Sequence, residues 1–550
     1  MDPAPDRWAE TVDVVVVGTG AAGLTAAIRA ADAGARVLVL EKTALVGGST
    51  SVSAGLVWVP LNHHLPEVGL TDSREEALAY VRRLSGRVAD PDLLEMCVDR
   101  GAEMLAYLEQ RSPLRMTAMA RFADYYAAYD VPGKKAGGRS CEPLPFPVGS
   151  ALPEWADRIQ TKVAVRGQVA RNMLAEDLGE RPRAADELAR REREDVRTKG
   201  SALVAALLRG VLDRGIEVRL ETRAEQLLGR DGAVEGVRCA TAGGTVDVRA
   251  RRGVVLASGG FEWNRDLVSA FIGYELFPIS PEHNTGDGHI MGMEAGALLG
   301  SMHSYWGSGA MVDPSDLRAG RPLPTFDEAR AAGGTLIVNA HGERFVNEAA
   351  PYHDFAKAFG EFDPSTAAFR NETAWMVFDH ELRSRKQILS LRPDGPVPDW
   401  VATGDSLGEL AERLDIDPAR LEQTVAEFNG HAAEGNDPAF DRPRGMAGSK
   451  IRPLGDGPFY AIPIHPGTLG TNGGLRTDAL GRVRRARGGV LDGLYAAGNV
   501  AASPLGWGYP GGGATLWAGM TLAYVAGDAV ARHRDRAADS PATPAGAPAP

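Results

Sequence analysis

Asp13-Val14-Val15-Val16-Val17-Gly18-Thr19-Gly20-Ala21-Ala22-Gly23 is the stretch that decides the fold. The β-branched run suits a strand buried on both faces. Leu24 to Ala33, rich in Ala and Leu, reads as a helix, and Arg36 to Leu40 as a second strand ending at Glu41. Strand, glycine loop, helix, strand and terminal acid, in that order, open a dinucleotide-binding βαβ unit. Gly18 allows the tight turn, Gly20 lets backbone approach a pyrophosphate, and Gly23 lets helix and strand pack closely. Ala21 and Ala22 start the helix, whose free N–H groups and positive dipole end suit phosphates. Glu41 stands eighteen residues past Gly23. Its carboxylate accepts from ribose hydroxyls and repels a 2′-phosphate, which disfavours NADP.

Working outward, the chain has 550 residues, enough for two or three domains. Hydrophobic residues make up 44% and charged residues 24%, a globular balance. The net charge is −12 and no Lys/Arg block stands out, which argues against nucleic acid as a partner. Cys97, Cys141 and Cys239 build neither a disulfide framework nor a CxxC knot, so they read as reduced core residues and no metal site is expected. The first residues hold two prolines and several charges, so no signal peptide is expected. No run of about 20 apolar residues occurs, so no transmembrane segment is expected. The expected location is cytoplasmic, with peripheral membrane association left open.

Residues 1–12 read as a flexible lead, and 72–110 as an amphipathic helical stretch. Residues 170–198 are densely charged and read as a solvated helix. Gly200 to Arg214 reads as a helix, and Glu217 to Leu220 and Gly253 to Ala257 as strands. Periodicity weakens from about residue 300 and returns near 465. The expected class is therefore α/β: a Rossmann-like dinucleotide-binding domain in two pieces, 1–298 and 465–533, with an inserted α+β domain at 299–464, which the family resemblance of the motifs that follow makes an FAD-binding and a catalytic (capping) domain. Ala514 to Ala531 reads as a buried helix, and 534–550 as a disordered tail.

The segment after Glu41 points to FAD rather than NAD. Lys42, then Gly47-Gly48-Ser49-Thr50 and Ser53-Ala54-Gly55, form a second Gly/Ser loop able to wrap a long cofactor. This string resembles the fumarate reductase/succinate dehydrogenase flavoprotein superfamily. The resemblance continues at Ala257-Ser258-Gly259-Gly260-Phe261, at Thr285-Gly286-Asp287-Gly288 and at Leu494-Tyr495-Ala496-Ala497-Gly498-Asn499. It implies that Gly498 and Asn499 lie near the ribityl chain, the Ala224 backbone near the adenine, and Asp287, Ala514 and Leu516 also at the cofactor. Covalent members attach FAD through a His where this chain has Ser49, so the FAD is expected to be noncovalent.

The last glycine loop, Ser503-Pro504-Leu505-Gly506-Trp507-Gly508-Tyr509-Pro510-Gly511-Gly512-Gly513-Ala514-Thr515-Leu516, lacks the His and Arg with which fumarate reductases hold dicarboxylates. Its Tyr-Pro-Gly-x-Gly-Ala-Thr string is similar to the 3-ketosteroid Δ1-dehydrogenase family. Phe122-Ala123-Asp124-Tyr125-Tyr126 and Arg344-Phe345-Val346-Asn347-Glu348-Ala349-Ala350-Pro351-Tyr352 are similar as well. The resemblance implies desaturation next to a ketone, with the α-carbon losing a proton and the β-carbon a hydride to flavin N5. It makes the Tyr509 hydroxyl and the Gly513 N–H donors to the ketone oxygen, Tyr352 the base, and Tyr125 the helper that lowers its pKa. Phe122, Trp507 and Pro510 would line the substrate pocket. Gly508 and Gly512 depart from the family pattern, as do residues 127–136, which leaves the ring system open.

Two alternatives stand beside this reading: a flavin-dependent ene-reductase, and a catalytically silent flavoprotein. No NAD(P)H site is visible, so reoxidation calls for an external acceptor such as a quinone or a protein. Acid precipitation of the purified yellow protein should release all FAD to the supernatant; flavin retained on the pellet would contradict the reading of Ser49.

Overall fold

The computed structural model describes residues 1–161, 169–182, 184–318, 321–393, 395–446 and 451–533. The valine run forms the strand Glu10–Val17, paired in parallel with Val37–Leu40 on one side and Gly244–Leu256 on the other. Val490–Ala496 extends the parallel set next to Gly244–Leu256, and Glu217–Arg219 extends it next to Val37–Leu40. Val14, Val15 and Val16 are fully buried, as a strand covered on both faces requires. The antiparallel strands Arg223–Arg230 and Ala233–Thr241 complete one end of this nine-stranded sheet.

The helix Ala21–Asp32 packs on the long helix Ala514–Ala531. Close approach rests on glycine: a Cβ at Gly527 would lie 2.6 Å from the Ala26 carbonyl oxygen. Arg29 donates to Asp528 across the same interface at 2.6 Å. The last helix thus returns onto the first, which makes one body of the two ends of the chain.

Between them lies a second core. Thr335–Asn339, Ala374–Asp379, Phe459–Pro463 and Ala402–Gly404 form an antiparallel sheet in that order. Leu410, Leu421 and Val425, from the helices Leu407–Arg413 and Pro418–Ala432, pack with Leu336 and Val338 of this sheet. The strand Tyr305–Arg318 pairs with both Arg321–Thr325 and His465–Thr471 and so crosses the joint between the two cores. We propose a division at residues 299 and 464, where the chain passes into and out of the second core.

Several sequence expectations need correction. Residues 1–12 are not a free lead: Asp2–Pro3 adds an edge strand next to Leu228 and Gly229, and the first long strand starts at Glu10. The stretch 72–110 is two helices, Arg74–Ser85 and Pro91–Arg111. Gly86 at φ +65° ends the first, and Asp90 caps the second, with Pro91 at its first position. The charged stretch 170–198 is not one solvated helix. It holds the turn Leu174–Asp177 and the helix Ala185–Arg193, with Arg191 buried against Glu176 and Glu187. Paired carboxylates make that burial tolerable. The tail 534–550 lies outside the described residues, and no described helix is long and apolar enough to cross a membrane.

Candidate active site

The glycine loop is built as the spacing requires. Gly18 sits at φ +111°, and a Cβ there would lie 2.4 Å from the Ala257 carbonyl oxygen. A Cβ on Gly23 would lie 2.0 Å from the Gly18 carbonyl oxygen, so this glycine serves the packing of helix on strand. Gly20 has room on its outer side, where its nearest neighbour would be the Thr50 hydroxyl at 3.6 Å. The helix Ala21–Asp32 starts with no side-chain cap and no acidic residue in its first turn. The Ala21 amide donates to the Thr50 hydroxyl at 3.1 Å, and the amides that follow it are open to a pyrophosphate. Glu41 is aimed by three bonds, from the Thr19 hydroxyl at 2.5 Å and from the Thr43 amide and hydroxyl at 3.0 and 3.2 Å.

Around this loop runs a cavity of about 2420 Å³. The cofactor residues named from sequence line it, except Gly23, Gly260 and Ala514. Gly260 faces away, since its Cβ would meet the Glu262 carboxylate at 2.2 Å, and Ala514 is buried in its helix. Lys42 is already engaged, donating to Thr285 at 2.8 Å and Asp287 at 3.0 Å. Burial pushes the Asp287 carboxyl up, but Arg223 and Lys42 more than offset it and hold it below the usual range. The Asn284 amide donates to Ser49 Oγ at 2.8 Å and to the buried Glu262 at 2.7 Å, which fixes the serine. The Ser258 hydroxyl, on the cavity wall, is buried with no hydrogen-bond partner among the described residues. A glycine cradle, an uncapped helix, an aimed carboxylate and an unpartnered hydroxyl together fit FAD.

At the far end of the cavity three tyrosines meet. The Tyr125 and Tyr352 hydroxyls are 2.8 Å apart. The Tyr509 ring stacks on Tyr125 at 5.6 Å and stands edge-on to Tyr352 at 5.3 Å. Gly513 joins them on the wall at the start of the helix Ala514–Ala531. It must be glycine, because it sits at φ +95° and a Cβ would lie 2.3 Å from the Leu56 carbonyl oxygen. Its N–H donates to no partner among the described residues. Phe122 lines the cavity near Tyr125.

Backbone carbonyls set this cluster. Pro510 O accepts from the Tyr80 hydroxyl at 2.7 Å and the Tyr125 amide at 3.1 Å. Trp507 O accepts from His353 Nε2 at 3.0 Å and Lys357 Nζ at 3.0 Å. Gly307 N–H donates to His353 Nδ1 at 3.2 Å, so the ring is a neutral Nε2–H tautomer, its pKa pushed down to about 4 by burial. Pro510 and Trp507 therefore act through their carbonyls and do not line the cavity. The Trp507 ring is 46% exposed and lies over Gly86, which corrects its placement as a pocket wall.

Burial, then the neighbouring Tyr125 and Tyr509, push Tyr352 well above the ordinary phenol range. Tyr125 is also pushed well above it, by burial first. The bond between them raises Tyr352. Burial is the largest of the influences on Tyr352, and those from its neighbours come from phenols and not cations. Trp306 and Phe326 went unnoticed in the sequence. Trp306 stands edge-on to Tyr509 at 5.3 Å and donates to Asn499 at 3.1 Å, and Phe326 stands edge-on to Tyr352 at 5.3 Å. Both lie in the stretch where periodicity fades.

Comparison with known proteins agrees with this geometry. The family model described as FAD binding domain matches residues 13–516. A 4-oxocyclohexanecarboxylate 2-dehydrogenase from Sinomonas cyclohexanicum is 38% identical over 95% of this chain and 93% of its own length. A 3-oxosteroid 1-dehydrogenase from Mycolicibacterium smegmatis is 36% identical over 94% of this chain and 96% of its own. The crystal structure of 3-ketosteroid delta1-dehydrogenase from Sterolibacterium denitrificans in complex with 1,4-androstadiene-3,17-dione superimposes with a TM-score of 0.85. It is 31% identical and covers 95% of this chain and 99% of that one.

The loop carrying Tyr125 hangs on a buried charge. Asp124, pushed up to about 6 by burial against the pull of Arg139, accepts from Arg139 at 2.8 Å and from the Trp58 indole at 2.7 Å. Arg139 also pairs with buried Asp72 at 2.7 Å. Arg139→Met leaves the buried Asp124 without an ion-pair partner and Asp72 with only Lys135 at 3.9 Å, and should cost about 3–5 kcal/mol in urea unfolding. A loss under about 1 kcal/mol would contradict the assigned role of this charge.

Proposed function

The chain belongs to the FAD binding domain family, and we propose that it desaturates a cyclic ketone next to its carbonyl, as 1,2-desaturation of a 3-ketosteroid or related polycyclic ketone. The three convergent tyrosines at the end of the FAD cavity carry this reading. Bound FAD supplies the acceptor for the hydride that leaves the β-carbon. The remaining work falls to side chains and backbone. Tyr509 O–H and Gly513 N–H donate to the ketone oxygen as negative charge builds there, helped by the positive end of the helix Ala514–Ala531. The Tyr352 oxygen takes the α-proton as a phenolate, with the Tyr125 hydroxyl 2.8 Å away to donate to it. Phe122, Phe326 and Trp306 keep water from the developing charge.

One observation favours a second reading, a monocyclic keto acid. Arg121 stands on the cavity wall next to Phe122 and makes no ion pair among the described residues. It could take a carboxylate of the kind named in the Sinomonas relative. The electron acceptor we propose is external, a quinone-like molecule or a protein.

Steady-state turnover of a 3-ketosteroid panel and of 4-oxocyclohexanecarboxylate, with an artificial electron acceptor, separates the readings. We expect the higher kcat/KM on steroids; turnover of the keto acid alone would put the second reading first. Tyr509→Phe should lower turnover about 10²–10³-fold with FAD content unchanged, and wild-type turnover in that variant would contradict its role.

A further inference from the structure

Away from the FAD cavity, two histidines meet a glutamate 45 residues further along the chain. His63 Nε2 lies 2.8 Å and His64 Nε2 2.9 Å from the same oxygen, Glu109 Oε2. The imidazole centroids are 4.1 Å apart, and the three ligand atoms lie within 4.8 Å of one another. The side chains of His64 and Glu109 are each 9% exposed, while His63 is 44% exposed, so the cluster opens to water on one side.

The surroundings prepare each group. His64 Nδ1 faces Glu67 Oε2 at 3.2 Å. Glu109 Oε1 accepts the Met116 amide at 2.8 Å, which leaves Oε2 aimed at the histidines. The Asn62 amide holds the loop by donating to the Val59 and Gly138 carbonyls at 2.8 and 2.9 Å. Glu67 behind His64 gives the carboxylate–histidine order that orients imidazole ligands of metals.

We propose that His63 Nε2, His64 Nε2 and Glu109 Oε2 form a site for a divalent transition metal, Zn²⁺ first, with water in the fourth position. Two imidazoles and one carboxylate, with one open side, match three-ligand zinc chemistry. Tetrahedral coordination at about 2.0–2.1 Å spaces ligand atoms about 3.3 Å apart, within reach of small side-chain rotations here. The nitrogen donors select against Mg²⁺, which prefers oxygen. The metal would tie the loop after Trp58 to the end of the helix Pro91–Arg111. The sequence alone shows no such site, because the fold alone brings Glu109 to the histidine pair.

The test uses the full FAD-loaded chain, freed of metal with a chelator and titrated with ZnCl₂ or MgCl₂ by calorimetry and thermal melting. One equivalent of Zn²⁺ should bind and raise Tm, and Mg²⁺ should do neither. Glu67→Gln should weaken Zn²⁺ binding about 10–100-fold. His63→Ala, at a half-exposed position that leaves the fold intact, should weaken it further and abolish the Tm rise, with the bound flavin spectrum unchanged. Zn²⁺ binding of wild-type strength in His63→Ala, or no stoichiometric binding to the wild type, would overturn the proposal.

Discussion

One carbonyl oxygen carries the geometry of this site. Pro510 O takes the Tyr80 hydroxyl and the Tyr125 amide, at 2.7 and 3.1 Å. Those two bonds tie the helix Arg74–Ser85 and the loop that supplies Tyr125 to the loop that supplies Tyr509 and Gly513. The second loop runs directly into the helix Ala514–Ala531, which packs on the helix at the pyrophosphate cradle. Cofactor and ketone sites are therefore fixed to each other through one continuous stretch of backbone. The third tyrosine comes from the inserted segment. It is held to the same loop when His353 and Lys357 donate to the Trp507 carbonyl.

The nucleotide half was largely legible in the sequence. Glycines at positions where a Cβ would strike backbone leave a local signature, and Gly18, Gly23 and Gly513 all do so. Tyr125, Tyr352 and Tyr509 were singled out by the family resemblance of the strings around them, and the fold brings the three together. What escaped were features set by tertiary contact. Trp306 and Phe326 sit on a strand and a loop without marked alternation. Trp507 was misplaced because its ring and its carbonyl point to different tasks, and sequence shows only the ring. The charged stretch 170–198 was misread for a related reason: burial of Arg191 depends on Glu176, and charge density alone reads as solvent exposure.

The electrostatics of the tyrosine cluster also emerge only from the fold. A phenol next to a phenol suggests mutual help. Inside this cavity, however, burial dominates and holds Tyr352 in its neutral form. In the proposed roles, the base stays inert until Tyr509 and Gly513 stabilise a ketone oxygen. Such coupling of donor and base suits a carbon acid of low acidity.

The central claim is that Tyr352 removes the α-proton, and the pH dependence of flavin reduction by a saturating ketone substrate tests it most directly. A base whose pKa lies above the range is mostly protonated, so its active fraction grows about tenfold per pH unit. The account predicts that the wild-type rate climbs from pH 6 through pH 10 without a plateau, and that Tyr352→Phe is slow and flat over the same range with FAD bound. A wild-type plateau below pH 9, or the same climb in Tyr352→Phe, would contradict it.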